Sequence, residues 1–163
     1  MGEIHEDYLR STLFGLQDGL VSTTGVVIGI STGVDTKAII LLAAFVAVTV
    51  EATSMAAGQY SSEKAVHQLD TTGKHTDSLV LGAVLMFVSY LIAGLIPIAP
   101  FVFFNLNVAR VLAIILAFFG LFAVGYIKGK WVSVSPIRSA LELFVIGAIA
   151  TSLGLIVGQI LKV

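Results

Sequence analysis

Five long apolar stretches dominate the pattern of hydrophobic and polar positions along the chain. Each is close to the roughly 20 residues that an α-helix needs to cross the hydrocarbon core of a bilayer. They cover residues 11–33, 38–60, 79–99, 108–127 and 139–161. The longest polar segment between them is predicted to be a short cytoplasmic loop at 61–78. The pattern predicts a single transmembrane domain over residues 1–163 with five membrane-spanning helices.

β-Strands explain these stretches poorly. A strand of a membrane barrel alternates apolar and polar residues over about ten positions, whereas residues 79–88 are apolar without interruption. Because backbone groups in lipid must be paired, and a helix pairs them within its own segment, the stretches are predicted to be helices. Pro97 and Pro100 are expected to end the third helix. The predicted fold class is an all-α integral membrane protein.

Composition strengthens the membrane interpretation. The chain has 163 residues, of which 57% are hydrophobic and 12% charged, whereas a soluble domain has about 45–50% apolar and about 25% charged residues. A chain this short has too much surface to hide that apolar excess from water. The net charge of −1 offers no basic face for a nucleic acid. We therefore expect the lipid bilayer, and no nucleic acid, as a partner.

The basic residues predict the orientation of the chain. With a cytoplasmic N-terminus, six basic residues lie inside and three outside, as the positive-inside rule requires. The six are Arg10, Lys64, Lys74, Lys128, Lys130 and Arg138, and the three are Lys37, Arg110 and Lys162. Five spans then place the C-terminus outside.

Two carboxylates lie inside otherwise apolar spans, and these are the main candidates for function. Asp18 is in the first span and Glu51 in the second, and a charge at the centre of a bilayer costs about 2.5–3.5 kcal/mol on insertion scales. No basic residue lies at an obviously matching depth. A cation, a proton or a water-filled cavity is therefore expected beside them.

Met55 follows Glu51 by four residues, which places both on one helix face. A carboxylate with a thioether suits a first-row divalent ion such as Fe²⁺ better than Mg²⁺ or Ca²⁺, although methionine also commonly serves only in packing. Gln59 continues the same face and is a weaker candidate ligand. Since protons compete with metal for carboxylate oxygens, one site that binds each in turn is sufficient for an exchanger.

Three further residues are weaker metal candidates. Glu142 stands four residues after Arg138, so the two can simply form an ion pair. Glu63 and His67, also four residues apart, can form a surface metal clip or be solvated loop residues. No phosphate-binding G-x-x-x-x-G-K-[ST] motif is present, which argues against direct use of ATP.

Glycines spaced four residues apart recur along the spans, and such faces let helices approach closely. Ordinary packing within the bundle and a position beside a dimer axis or a pathway both remain open as explanations. The glycines concerned are Gly15 and Gly19, then Gly25, Gly29 and Gly33, then Gly125 and Gly129, and finally Gly154 and Gly158.

The polar signatures resemble those of the vacuolar iron transporter family. Residues 18–24 (DGLVSTT) are similar to its first-helix signature and residues 51–62 (EATSMAAGQYSS) to its second. Similar segments follow in the same order at residues 94–97, 125–129 and 136–142. The resemblance therefore extends over almost the whole chain.

This resemblance implies a C2 homodimer of five-helix chains, with cytoplasmic N-termini and a pathway at the dimer interface. It implies export of Fe²⁺, and also of Mn²⁺, from the cytoplasm in exchange for protons, with no permanently bound cofactor. It carries Asp18 and Met55 over as pathway ligands, and Glu51 as the acidic position of the second signature. The chain is then a transporter and not an enzyme.

The resemblance breaks down between the second and third helices. Plant and fungal members insert there a glutamate-rich cytoplasmic domain of three helices, which residues 61–78 are too few to form. We therefore expect weaker capture of metal on the cytoplasmic side. The short form favours a prokaryotic cell membrane, with an organelle membrane as the alternative.

Two other functions remain open at this point. A membrane scaffold or assembly subunit can keep the fold without transport, although a scaffold has no use for unpaired acids in lipid. A proton or cation channel can use the same carboxylates without Met55.

Overall fold

A computed structural model describes residues 6–70 and 78–162 of the chain. Within these residues the chain forms five α-helices and no β-strand. The helices are α1 (Glu6–Gly33), α2 (Lys37–Leu69), α3 (Leu79–Phe103), α4 (Leu106–Trp131) and α5 (Pro136–Ile160). All five are long and apolar enough to cross a membrane. The predicted all-α membrane fold is confirmed.

Helix α1 is the centre of the bundle and packs against each of the other four helices. It runs parallel to α3 and α5, since Gly19 lies beside Tyr90 and Ala93 while Gly29 lies beside Gly154. Helices α2 and α4 run in the opposite direction, as short connections between successive spans require. The start of α1 therefore lies at the same end of the bundle as the end of α2.

The buried faces are lined by small residues, and the outer faces are apolar. Helix α4 buries a stripe of alanines at four-residue spacing, Ala109, Ala113 and Ala117, so that its backbone lies close to its neighbours. Large apolar side chains such as Leu42 and Phe119 point outward instead. An exposed apolar surface on every helix is what lipid contact requires and what water would penalise.

The glycine stripes are explained by packing within one chain. A Cβ atom on Gly29 would lie 2.8 Å from the backbone oxygen of Gly154, and one on Gly33 would lie 3.0 Å from that of Gly158. On α4, a Cβ on Gly125 would lie 2.7 Å from the backbone oxygen of Ser139. Each stripe therefore lets two helices of the bundle approach closely, which is the simpler of the two explanations.

The predicted loop at 61–78 was wrong over its first part, because α2 continues to Leu69; residues 71–77 lie outside the described part of the chain. Hydropathy falls where a helix leaves the apolar layer, and this need not be where the helix ends. The prolines also do not end α3, which continues through Pro97 and Pro100 to Phe103. Packing partners in membrane bundles commonly compensate for the backbone groups that a proline leaves unpaired.

Candidate metal site

A close contact between α1 and α3 positions the residues of the site. A Cβ atom on Gly15 would meet the backbone oxygen of Met86 at 2.8 Å, and one on Gly19 would overlap the backbone oxygen of Tyr90. Glycine is needed at both positions because the two backbones nearly touch. This approach places the phenol of Tyr90 against Ser22 of α1, one turn beyond Gly19, and against Glu51 of α2.

Glu51 is held by two hydroxyl groups. The Tyr90 hydroxyl donates a hydrogen bond to Glu51 Oε2, and Ser22 Oγ lies 3.3 Å from the same oxygen. Ser22 Oγ also contacts the Tyr90 hydroxyl and lies 2.8 Å from the backbone oxygen of Asp18. Each hydroxyl has a single proton to donate. Tyr90 donates its proton to Glu51, and Ser22 can donate to only one of its three neighbouring oxygens at a time. Three helices thus meet at one carboxylate oxygen.

Asp18 lies one helical turn from Ser22 and presents a second carboxylate. Its charge interacts electrostatically with that of Glu51. Among residues 6–70 and 78–162, the Asp18 carboxylate accepts no hydrogen bond, and neither acid forms an ion pair with a basic side chain. Two like charges without a basic partner favour a bound cation or proton between them.

The other two residues on the Glu51 face have different surroundings. Met55 is partly buried and packs against the main hydrophobic cluster. Gln59, one turn further, donates its side-chain amide to Glu63 Oε1 at 3.2 Å. Glu51, Met55 and Gln59 therefore share one face of α2, as their spacing predicts. Gln59 also belongs to a separate polar cluster at the end of the bundle where α1 begins.

Glu63 lies in that cluster and is not a solvated loop residue. Its side chain is 8% exposed and forms an ion pair with Arg10 of α1, which also lies 3.3 Å from Asp7. His67 lies one turn beyond Glu63, and both side chains line a small cavity between α1, α2 and α3. Of the two alternatives for Glu63, that of a solvated loop residue was wrong, since α2 continues to Leu69 and Glu63 pairs with Arg10 of α1.

The Arg10–Glu63 pair predicts an asymmetric effect on stability. Arg10→Gln leaves a buried carboxylate without its cation and should lower the free energy of unfolding by about 1–3 kcal/mol. Glu63→Gln removes that charge and keeps an oxygen that accepts from Gln59, so its effect should be less than half as large. Thermal unfolding in detergent, followed by the fluorescence of Trp131, measures both. An equal or larger loss in Glu63→Gln would contradict this account of the pair.

Glu142 lies apart from the two membrane carboxylates and pairs with Lys128. Their charged atoms are 3.8 Å apart, and the Glu142 side chain is largely exposed. Both residues line a cavity of about 620 Å³ between α4 and α5, together with Arg138. The ion pair expected from spacing, with Arg138, is replaced by one across the two helices.

A long groove begins beside the site. It lies between α1 and α5, has a volume of about 610 Å³ and is lined almost entirely by apolar atoms. It extends from Ser22 along α1 to Gly33 and Val34, near the far end of α5 at Leu161. Ser22 therefore belongs both to the wall of the groove and to the hydrogen bonds around Glu51.

Asp18 and Glu51 were predicted from the sequence as site residues, whereas Tyr90 was not. The available signal was a tyrosine, next to Ser89, inside the otherwise apolar third span. A buried phenol in lipid needs a partner for its hydroxyl. Ser22 was visible only as part of the first-helix signature. Within the described residues, no three His, Cys, Asp or Glu side chains cluster as a metal site.

A family model matches most of this chain, and curated relatives match less than half of it. A family model described as the VIT family matches residues 9–77 and 65–159. The "Vacuolar iron transporter" of Centaurea cyanus is 37% identical over 71 residues, which are 43% of this chain and 29% of that protein. The "Vacuolar iron transporter 1" of Arabidopsis thaliana is 32% identical over 76 residues, or 46% of this chain and 30% of that protein.

The "Vacuolar iron transporter 1" of Eucalyptus grandis is 38% identical over 68 residues, which are 40% of this chain and 26% of that protein. The matched region is thus under a third of the length of each of these relatives. The two matches of the family model overlap at residues 65–77, which include the end of α2. Because they cover almost all of the chain, including Asp18 and Glu51, the chain belongs to the VIT family.

Proposed function

We propose that this protein exports divalent metal, Fe²⁺ first and Mn²⁺ second, from the cytoplasm in exchange for protons. One observation carries the proposal: Asp18 and Glu51, from two membrane-spanning helices, lie close enough for their charges to interact. Neither forms an ion pair with a basic side chain in the described part of the chain. The relatives named iron transporters favour iron as the cargo.

The transported ion would bind between Asp18 and Glu51. Protons and metal compete for the same oxygens, so metal binding releases protons and protonation releases metal. A site that opens to the two sides of the membrane in turn would couple the two movements. The metal is cargo, no cofactor is resident, and the protein acts as a transporter rather than an enzyme.

We further propose that two copies form a C2 homodimer around the α1 face. A single chain contributes two carboxylates, while Fe²⁺ and Mn²⁺ prefer about six ligands. Symmetry would double every ligand. The open groove beside Ser22 supports this arrangement, because a second copy would close it and turn it into a path from Asp18 toward the far end of α1.

The proposed orientation has a cytoplasmic N-terminus, as the distribution of basic residues favours. The proposed location is a prokaryotic cell membrane, and an organelle membrane is the alternative. The absence of a long insertion between α2 and α3 supports a minimal form that captures metal within the membrane.

Flux into proteoliposomes tests this function. Purified protein is reconstituted with an imposed pH gradient, and Fe²⁺ entry and internal pH are followed together with two fluorescent dyes. Metal movement that follows the gradient, with a matching proton movement in the opposite direction, is expected. Flux no greater than that of empty liposomes, from folded protein, would overturn the proposal and favour a scaffold.

Met55→Leu separates metal transport from a proton or cation channel. Leucine nearly conserves the volume of methionine, so packing against the main hydrophobic cluster should persist. If Met55 is a soft ligand, Fe²⁺ flux should fall about tenfold while the unfolding temperature stays within a few degrees. Unchanged Fe²⁺ flux would remove Met55 from the ligand set, and proton flux without metal would favour the channel.

A further inference from the structure

The two oxygens of the Glu51 carboxylate have different surroundings. Oε2 accepts a hydrogen bond from the Tyr90 hydroxyl and lies 3.3 Å from Ser22 Oγ. Oε1 accepts no hydrogen bond from any residue in the described ranges 6–70 and 78–162. One oxygen is therefore engaged by protein and the other is available.

We propose that Tyr90 and Ser22 restrict Glu51 to binding metal through one oxygen, and that this restriction disfavours Ca²⁺ relative to Fe²⁺ and Mn²⁺. The inference rests on the proposed metal site and adds a determinant of its selectivity. Tyr90 is a positioning residue in this account, because it acts on the metal only through Glu51.

The chemistry of the ions supplies the reason. Ca²⁺ collects six to eight oxygen ligands and commonly takes both oxygens of a carboxylate. Smaller first-row ions prefer fewer ligands and accept softer donors. For Glu51 to chelate through both oxygens, Oε2 would have to leave the Tyr90 hydroxyl. A hydrogen bond to a charged group in a dry interior is worth more than one in water.

Tyr90 cannot easily move aside to permit that. Its side chain is 1% exposed, so no bulk water replaces a lost partner. Its backbone nitrogen would lie 3.1 Å from a Cβ on Gly15, and its backbone oxygen abuts Gly19. Both contacts fix the backbone of α3 against α1, and the packing around the buried ring leaves the phenol little room to rotate away.

Competition between Mn²⁺ and Ca²⁺ for purified protein in detergent tests the inference directly, without transport. Free Mn²⁺ is read from its electron paramagnetic resonance signal while Ca²⁺ is added. In Tyr90→Phe, the Ca²⁺ concentration that displaces half of the bound Mn²⁺ should fall about tenfold, the equivalent of one charge-assisted hydrogen bond. Tyr60→Phe removes a hydroxyl from an exposed position of α2 and should change nothing.

Two further variants show whether the effect passes through Glu51. Glu51→Asp keeps the carboxylate charge but shortens the side chain by one methylene, which withdraws it from the two hydroxyl groups; with this change already present, Tyr90→Phe should no longer alter the preference between the two ions. Ser22→Ala should shift it in the same direction by about two- to threefold, and it provides the answer if Tyr90→Phe does not fold.

The outcomes separate this inference from the function on which it rests. Wild-type protein that binds no Mn²⁺ would overturn both. Wild-type protein that binds Mn²⁺, with an unchanged preference in folded Tyr90→Phe or in Ser22→Ala, would overturn the role of the hydroxyl groups alone. A shift that persists with Glu51→Asp would also overturn it, since Tyr90 would then act by another route.

Discussion

Replacing Asp18 with asparagine is expected to abolish Fe²⁺ flux while leaving the protein folded. Losing an outer-shell partner of a metal ligand already costs about 10–100-fold in affinity, so losing a ligand carboxylate should cost at least about 100-fold. The amide also removes the charge that interacts with Glu51, which leaves a single acid to attract a divalent ion. Proteoliposome flux under a pH gradient measures the result.

Stability provides the internal check on that variant. A neutral amide in a membrane span costs less than a carboxylate without a basic partner, so the unfolding temperature should stay the same or rise. The matched control is Asp35→Asn, the same substitution at an acid that is 79% exposed and lies 3.6 Å from Arg110 at the opposite end of the bundle. Normal flux in Asp18→Asn, or an equal loss in Asp35→Asn, would remove Asp18 from the proposed pathway.

The five spans could be predicted because the hydropathy of each residue shows, without knowledge of its neighbours in space, whether it favours water or lipid. Asp18 and Glu51 were visible for the same reason, since an acid in an apolar run is unusual without any knowledge of its neighbours. Their proximity was not predictable, because 33 positions of sequence separate them and the distance between two helices depends on packing. The resemblance to a known family placed Asp18 and Glu51 in one pathway, which composition could not do.

The contacts of Tyr90 could not be predicted from the sequence. Its partners, Ser22 and Glu51, are 68 and 39 residues away along the chain, and only the packing of α3 against both α1 and α2 brings them together. Glu63 makes the same point for polar residues, since nothing local distinguishes it from a solvated loop residue until α2 is seen to continue to Leu69. In both cases the packing between helices, rather than a motif, defines the environment.

Gly19→Ala is expected to disrupt the close contact between α1 and α3 and to destabilise the fold. Alanine is normally the better helix former by about 1 kcal/mol, so an unconstrained site should gain stability. At Gly19 the added Cβ would overlap the backbone oxygen of Tyr90 and lie 3.1 Å from Ala93 Cβ. Backbone atoms cannot turn aside as a flexible side chain can, so α1 and α3 must separate. We expect a loss of about 1–3 kcal/mol in the free energy of unfolding.

Gly58→Ala is the matched control, because it makes the same substitution in a helix where a Cβ would meet nothing within 4 Å. That variant should be as stable as the wild type or more so, and thermal unfolding in detergent compares the two. Separation of α1 from α3 should also withdraw Tyr90 from Glu51, so Gly19→Ala should reproduce the increased Ca²⁺ competition expected of Tyr90→Phe. If Gly19→Ala were as stable as Gly58→Ala, the close α1–α3 contact would be wrong, and the positioning of Tyr90 would lose its structural basis.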